Sequence, residues 1–354
     1  MHLLTVVGNR PQFIKAWPFS QAASQAGIEE ILLHTGQHYD TELSSVFFSE
    51  LKLKEPRYNL YAKNKSGAEQ LESMVPGIEQ AIQEVKPDWV VVFGDTNSTL
   101  AGALAASNTR TPLAHIEAGL RSHDLSMPEE FNRILTDRLS QALFCPSALA
   151  VENLAKEEIC QEVHEVGDVM RDVARLISPL IQKQSTAISD HKLEPDNYLL
   201  LTIHRQANTA PDPLKRIAEA TGRIDETVIF PVHPRTQKVI EQHQIKFSPK
   251  VRLIQPLGLL DFTALLQKAK VILTDSGGIQ KEAYWHNVPC ITLRDTTEWP
   301  ETIDAGWNCL VGTDIEKIVN SISTVNPGPQ KKNLYGNGHT AETIVNLLTT
   351  ISNR

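Results

Sequence analysis

With 354 residues the chain is long for one hydrophobic core and ample for two ordinary domains. Its formal net charge of -8 argues against nucleic acid or an anionic membrane surface as the partner, so an anionic ligand must be held by local Arg, Lys and backbone N–H groups. The four cysteines, Cys145, Cys160, Cys290 and Cys309, form no CxxC pair and read as reduced core thiols, not as a zinc site or a disulfide frame.

In chain order, residues 3–7 form a short apolar run suited to a buried parallel strand. The run follows Met1 so closely that no signal peptide fits, and no later apolar run is long enough for a bilayer, so the expected location is the cytoplasm. Gly8-Asn9-Arg10-Pro11 leads into a helix with Phe13, Ile14 and Trp17 at helical spacing. This is not GxGxxG, so no nicotinamide cofactor is expected, but Arg10 and Lys15 beside a strand end could hold a diphosphate. A second strand at 31–34 ends in Thr35-Gly36-Gln37-His38, and Leu43, Val46, Phe47 and Leu51 mark a following helix. Residues 58–66 read as loop, and 70–85 as a helix that Pro76 should start or kink. Strands at 89–93 and 113–116 end at Asp95 and Glu117. Pro128-Glu129-Glu130 opens a helix whose first-turn carboxylates suit the macrodipole, with Arg133 and Asp137 further along it. Strands at 142–145 and 163–166 close this half.

Residues 182–196 are polar, carry no apolar period and read as a surface connection. Strands then recur at 198–203, ending in His204-Arg205, at 228–232, ending in His233-Pro234-Arg235, at 251–254, at 271–273 and at 289–293, ending in Arg294. The stretch VILTDSGGIQKEAYW at 271–285 is strand, glycine turn and helix start in succession. Helix-initial N–H groups lack partners and carry the positive end of the dipole, so phosphate could sit at Ser276, Gly277 and Gly278, with Glu282 one turn on to reach a ribose hydroxyl. The same residues also suit a plain glycine turn capped by Ser276. A strand at 309–311, a helix at 315–322, a Pro-Gly break at 326–329 and a last helix from about Ala341 complete the chain.

Two successive strand–helix alternations imply an α/β fold of two doubly wound Rossmann-like domains with mainly parallel sheets. Ligands of such sheets bind beyond the strands' carboxyl ends. Arg10, His38, Asp95 and Glu117 in one half, and His204, His233, Ser276 and Arg294 in the other, all fall there, and a cleft faced by both domains would gather them. There is no DxD, HxxxH or HExxH, so no metal is expected, and no GxSxG to mark a nucleophilic serine. An anion site, several carboxylates and two histidines suit cleavage of a bond to a phosphate leaving group, with proton transfer on the sugar it carried.

The motifs GxRPxxIK at 8–15, GQH at 36–38, GDTxS at 94–98, HIEAGLRS at 115–122, PEExNR at 128–133, HR at His204, HPR at His233 and DSGGxQxEA at 275–283 run in order over nearly the whole chain. Together they resemble the non-hydrolysing UDP-N-acetylglucosamine 2-epimerases. The resemblance implies a GT-B-like pair of domains, residues 1–167 with the catalytic carboxylates and 168–340 binding UDP, a helix at 341–354 crossing back to the first domain, and a homodimer. It implies a reaction on a UDP-sugar without cofactor: UDP is eliminated across C1 and C2 to leave a glycal, then added back after a proton reaches the other face of C2. Asp95, Glu117, Glu129 and His204 match positions linked to catalysis. Arg10, Lys15, Arg133, His233, Ser276, Gly277, Gly278 and Glu282 match nucleotide-holding positions, and His38 and Arg294 join them as strand-end polar groups.

Four departures bear on function. His204-Arg205-Gln206-Ala207-Asn208 stands where many relatives read HRxEN, so the role of that Glu is filled otherwise or not at all. Gln37-His38-Tyr39-Asp40 departs from the QHRxxL of relatives activated by their own substrate, so that activation is not expected. Val166 to Met170 and Thr297-Glu298-Trp299 resemble the branch acting on UDP-2,3-diacetamido-2,3-dideoxyglucuronate, used in O-antigen synthesis. That substrate, a GT-B glycosyltransferase and an inactive UDP-sugar-binding module are the alternative readings.

Overall fold

Apolar runs that cannot be exposed on either face become central parallel strands, and this rule accounts for both sheets of the protein. A computed structural model describes residues 1–37, 54–62, 67–325, 327 and 334–353. His38, the helix expected through Leu43, Val46, Phe47 and Leu51, and Asn326 and Pro329 of the Pro-Gly break lie outside the described residues. The chain divides into two compact units, Met1–Leu176 with Asn333–Arg354, and Ile177–Lys332.

The first unit carries β1 (His2–Val7), β2 (Glu29–His34), β3 (Tyr58–Asn59), β4 (Trp89–Phe93), β5 (Leu113–Ile116), β6 (Ala142–Cys145) and β7 (Val163–Glu165). They form one parallel sheet in the order β3-β2-β1-β4-β5-β6-β7. The order reverses between β1 and β4, the point in doubly wound sheets beyond whose strand ends ligands bind. Leu4 and Val6 of β1 and Val90 and Val92 of β4 pack with Met74 and Ile78 of the helix Gly67–Val85, which runs through Pro76. β3 falls in a stretch expected as loop; two edge residues are too few to show an alternation.

The second unit carries β8 (Tyr198–Thr202), β9 (Thr227–Pro231), β10 (Val251–Ile254), β11 (Val271–Thr274), β12 (Cys290–Thr292) and β13 (Asn308–Leu310). Its parallel order is β10-β9-β8-β11-β12-β13, with the reversal between β8 and β11. Leu199 and Leu201 of β8 enter one core layer and Tyr198 and Leu200 the other, so the run is buried on both faces. Residues 182–196 are more than a surface connection. They hold the end of the helix Val169–Gln184 and a one-turn helix, Ala187–Asp190, which the polar composition concealed. Among the described residues no helix is long and apolar enough to cross a membrane.

Candidate active site

In the first unit the β1 turn delivers Arg10 and Lys15. Asn9 caps the helix Arg10–Gln25 by accepting from Gln12 N at 3.1 Å, and Pro11 adds a preset φ in the first turn. Gly8 is required by close approach: a Cβ there would collide with Ser98 Oγ and come within 2.5 Å of Thr35 Oγ1. The buried Gln12 side chain fastens this turn across the order reversal. It accepts from Gly8 N at 2.8 Å and donates to Phe93 O at 2.9 Å, Thr96 Oγ1 at 3.0 Å and Thr99 Oγ1 at 2.9 Å. Gln12 was an unassigned position in the motif, and no local spacing distinguishes it.

Asp95 and Glu117 emerge from the neighbouring ends of β4 and β5, each with a cation. Asp95, its side chain 31% exposed, pairs with Arg133; Glu117, 9% exposed, pairs with Lys15. Burial would lower the Lys15 ammonium, but Glu117 beside it, with Asp168 and Asp95, outweighs this and holds it above its ordinary value. Gly94 lies between the pairs at φ +64, and a Cβ there would sit 3.2 Å from Glu117 Oε2 and 3.4 Å from Lys15 Nζ. Glu117 itself adopts φ +73, a costly conformation for a non-glycine residue. Lys15 and Arg133, read from sequence as holding the nucleotide, therefore face carboxylates.

The two carboxylates opening the helix Pro128–Leu139 diverge. Glu129 is exposed, whereas Glu130 is buried and accepts from Ser122 N and Oγ, both at 2.9 Å, from His123 N at 2.9 Å and from Arg133 Nη1 at 2.9 Å. Burial would raise Glu130, yet these donors keep it below the usual range. Glu130 thus orients Arg133, and through it Asp95.

In the second unit the equivalent fastening is Asp275, fully buried at the end of β11. Its carboxylate accepts from Arg205 N at 3.0 Å and His204 N at 3.2 Å, and lies 3.1 Å from His204 Nδ1. Burial alone would raise it, but His204 and these amides hold it low. His204 keeps its side chain 51% exposed. His233 caps the helix Pro234–Gln242 through Nδ1, 3.2 Å from Arg235 N; partial burial, then Arg235 and His204, lower its imidazole.

The helix Gly277–Trp285 begins at Ser276, and the serine side chain makes no cap bond to it. The plain-cap reading of Ser276 therefore fails. A Cβ at Gly278 would meet nothing nearer than Glu282 Oε1 and Ser276 Oγ at 4.0 Å, so the fold itself does not demand glycine there. Glu282 stands half-buried one turn further on. Arg294 is committed to Glu298 by bonds of 3.0 and 2.9 Å, and Ala207 is exposed in the short helix Gln206–Thr209. Among the described residues no group of three His, Cys, Asp or Glu could hold a metal ion.

One unit thus presents cation-paired carboxylates at its order reversal, and the other an uncapped glycine-rich helix start flanked by histidines. Residues 21–349 match the family model described as UDP-N-acetylglucosamine 2-epimerase. A UDP-N-acetylglucosamine 2-epimerase homolog of Methanococcus maripaludis is 46% identical over 99% of this chain and 100% of its own. A UDP-2,3-diacetamido-2,3-dideoxy-D-glucuronate 2-epimerase of Pseudomonas aeruginosa is 43% identical over 99% of this chain and 100% of its own. The crystal structure of Methanocaldococcus jannaschii UDP-GlcNAc 2-epimerase in complex with UDP-GlcNAc and UDP superposes with a TM-score of 0.91 at 40% identity, covering 99% of this chain and 100% of that one. The chain belongs to the UDP-N-acetylglucosamine 2-epimerase family, and its fold class is the GT-B-like one of that family.

Proposed function

We propose that this protein is a UDP-N-acetylglucosamine 2-epimerase that inverts C2 by eliminating UDP and adding it back. The observation that carries the reading is the pair Asp95 and Glu117, neighbouring carboxylates each with its own cation. One carboxylate takes the C2 proton while the C1–O bond breaks and its electron pair leaves with UDP, giving a glycal. A proton delivered to the opposite face of C2, with return of UDP to C1, yields the epimer. Inversion of this kind needs proton-transfer groups on both faces of C2, and Asp95, Glu117, Glu129 and His204 are the candidates. The helix start at Ser276, Gly277 and Gly278, with Arg10 and His233, stabilises the negative charge growing on the departing diphosphate, and Glu282 takes the ribose. Lys15 and Arg133 act through the carboxylates they face, and Arg294 through its pairing with Glu298. Residues 1–167 supply the catalytic carboxylates and 168–340 the nucleotide site with His204, in a cytoplasmic homodimer.

Incubation with UDP-N-acetylglucosamine in deuterated water, followed by NMR, tests the reading, with the diacetamido uronate sugar nucleotide as the comparison substrate. Deuterium at C2 in a gluco/manno mixture is expected from UDP-N-acetylglucosamine. Lasting release of free UDP would point to hydrolysis or transfer, and binding without exchange would overturn the enzyme reading. Asp95→Asn should abolish exchange and still bind UDP; loss of UDP binding would remove Asp95 from the proton-transfer set.

A further inference from the structure

His115 lies on β5 two residues before Glu117, and its ring is fully buried. Nδ1 is 2.7 Å from Asp137 Oδ1, and Nε2 is 2.7 Å from the carbonyl oxygen of Gly94. A neutral imidazole offers one N–H and one lone pair, so one of the two contacts would then set lone pair against lone pair. A ring with N–H on both nitrogens satisfies both. Asp137 is an acceptor here: burial would raise its carboxyl, but His115 and Arg121 hold it below the usual range. It also accepts from Arg121 Nη1 at 2.7 Å and Gly119 N at 3.2 Å, and Arg121 in turn grips Glu157 with bonds of 2.6 and 2.9 Å.

Gly94, one residue past β4, immediately precedes Asp95, and its amide donates to Ile116 O, next to Glu117, at 2.9 Å. The ring therefore stands between the strand end carrying one carboxylate and the strand end carrying the other. We propose that His115 is a positioning residue: as an imidazolium anchored on Asp137, it clamps the Gly94 carbonyl and fixes Asp95 relative to Glu117. The inference rests on the epimerase reading. Proton removal from one face of C2 and delivery to the other requires the two carboxylates at a set separation. Slack between them lets the glycal and UDP escape before the second transfer.

His115→Gln cannot donate in both directions. It should lower kcat about 100-fold, the scale of an ångström misplacement. KM and the Kd for UDP should stay within about twofold. The share of turnovers ending in free glycal and UDP should rise about tenfold, since a wider carboxylate spacing slows recapture. That share is a ratio among active molecules, so partial misfolding cannot change it. A lowered kcat with an unchanged ratio, or a parallel loss of UDP affinity, would reduce His115 to a structural role and overturn the proposal. Should the variant not fold, nitrogen NMR of the 15N-histidine wild-type protein decides. One of the twelve histidines should show a hydrogen-bonded N–H on each ring nitrogen, as the contacts to Asp137 and Gly94 O require. A single N–H on every ring would overturn the clamp. Failure of the wild-type protein to exchange C2 would instead remove the epimerase reading, leaving the nitrogen spectrum to decide on the clamp.

Discussion

His34, the last residue of β2, is buried with its ring 4.9 Å from that of Phe13. Burial, offset in part by a hydrogen bond with the Gly8 backbone, pushes its imidazole down to about 4. In the unfolded chain the group titrates near the ordinary value of about 6.5. As pH falls the unfolded state therefore binds the proton first. The stability contributed by neutral His34 is complete above about 6.5 and is lost as pH falls toward 4. The whole difference amounts to about 3 kcal/mol. The melting temperature should drop between about pH 7 and pH 5, a window above the ordinary carboxylate range. His34→Gln should flatten that drop, and an equal slope in the variant would assign it to other groups.

At the scale of elements, the helix Gly277–Trp285 sets stability against binding. A glycine in a helix costs up to about 1 kcal/mol relative to alanine, and a Cβ at Gly278 would meet no closer atom than 4.0 Å. Gly278→Ala should therefore raise the melting temperature by up to about 2 to 4 °C for a chain of this size. On the proposed function the same Cβ would stand where the phosphate approaches the N–H groups, and titration calorimetry should show UDP binding weakened by about tenfold or more, a loss of one to two hydrogen bonds to charge. A gain in stability with unchanged affinity would move the phosphate elsewhere.

What was legible in the sequence follows from the same local physics. β4, β5, β6 and β10 begin and end where their apolar runs do. The glycine turns at strand ends were legible for the same reason. Gln12, Asp275 and His115 were not, because each acts through a partner far along the chain: Phe93 for Gln12, His204 for Asp275, Asp137 for His115. Glu129 and Glu130 read alike as helix-start acids. A rotation of about 100° per residue points one outward and the other inward, and only the packing decides which.

For the whole molecule, the chain order of the units is not their spatial membership. The last helix, Thr340–Ser352, belongs to the first unit, where Ile344, Val345 and Leu348 are buried and the helix packs on Arg10–Gln25. Asp172 caps its start, accepting from Thr340 N at 3.0 Å and Ala341 N at 2.7 Å, and Trp89 Nε1 donates to Ser352 Oγ near its end at 2.7 Å. The helix that carries Arg10 and Lys15 thus rests on residues more than three hundred positions away. Each unit also has a core of its own, so damage to one should register in that unit alone. Leu348 is fully buried, and Leu348→Ala should cost about 2 to 5 kcal/mol through lost burial and the cavity it leaves. Scanning calorimetry should then show one transition moved down, with UDP still raising the other, because ligand bound to a folded unit stabilises that unit by mass action. A single transition that moves as a whole would mean that the two cores unfold together, and that the final helix supports both.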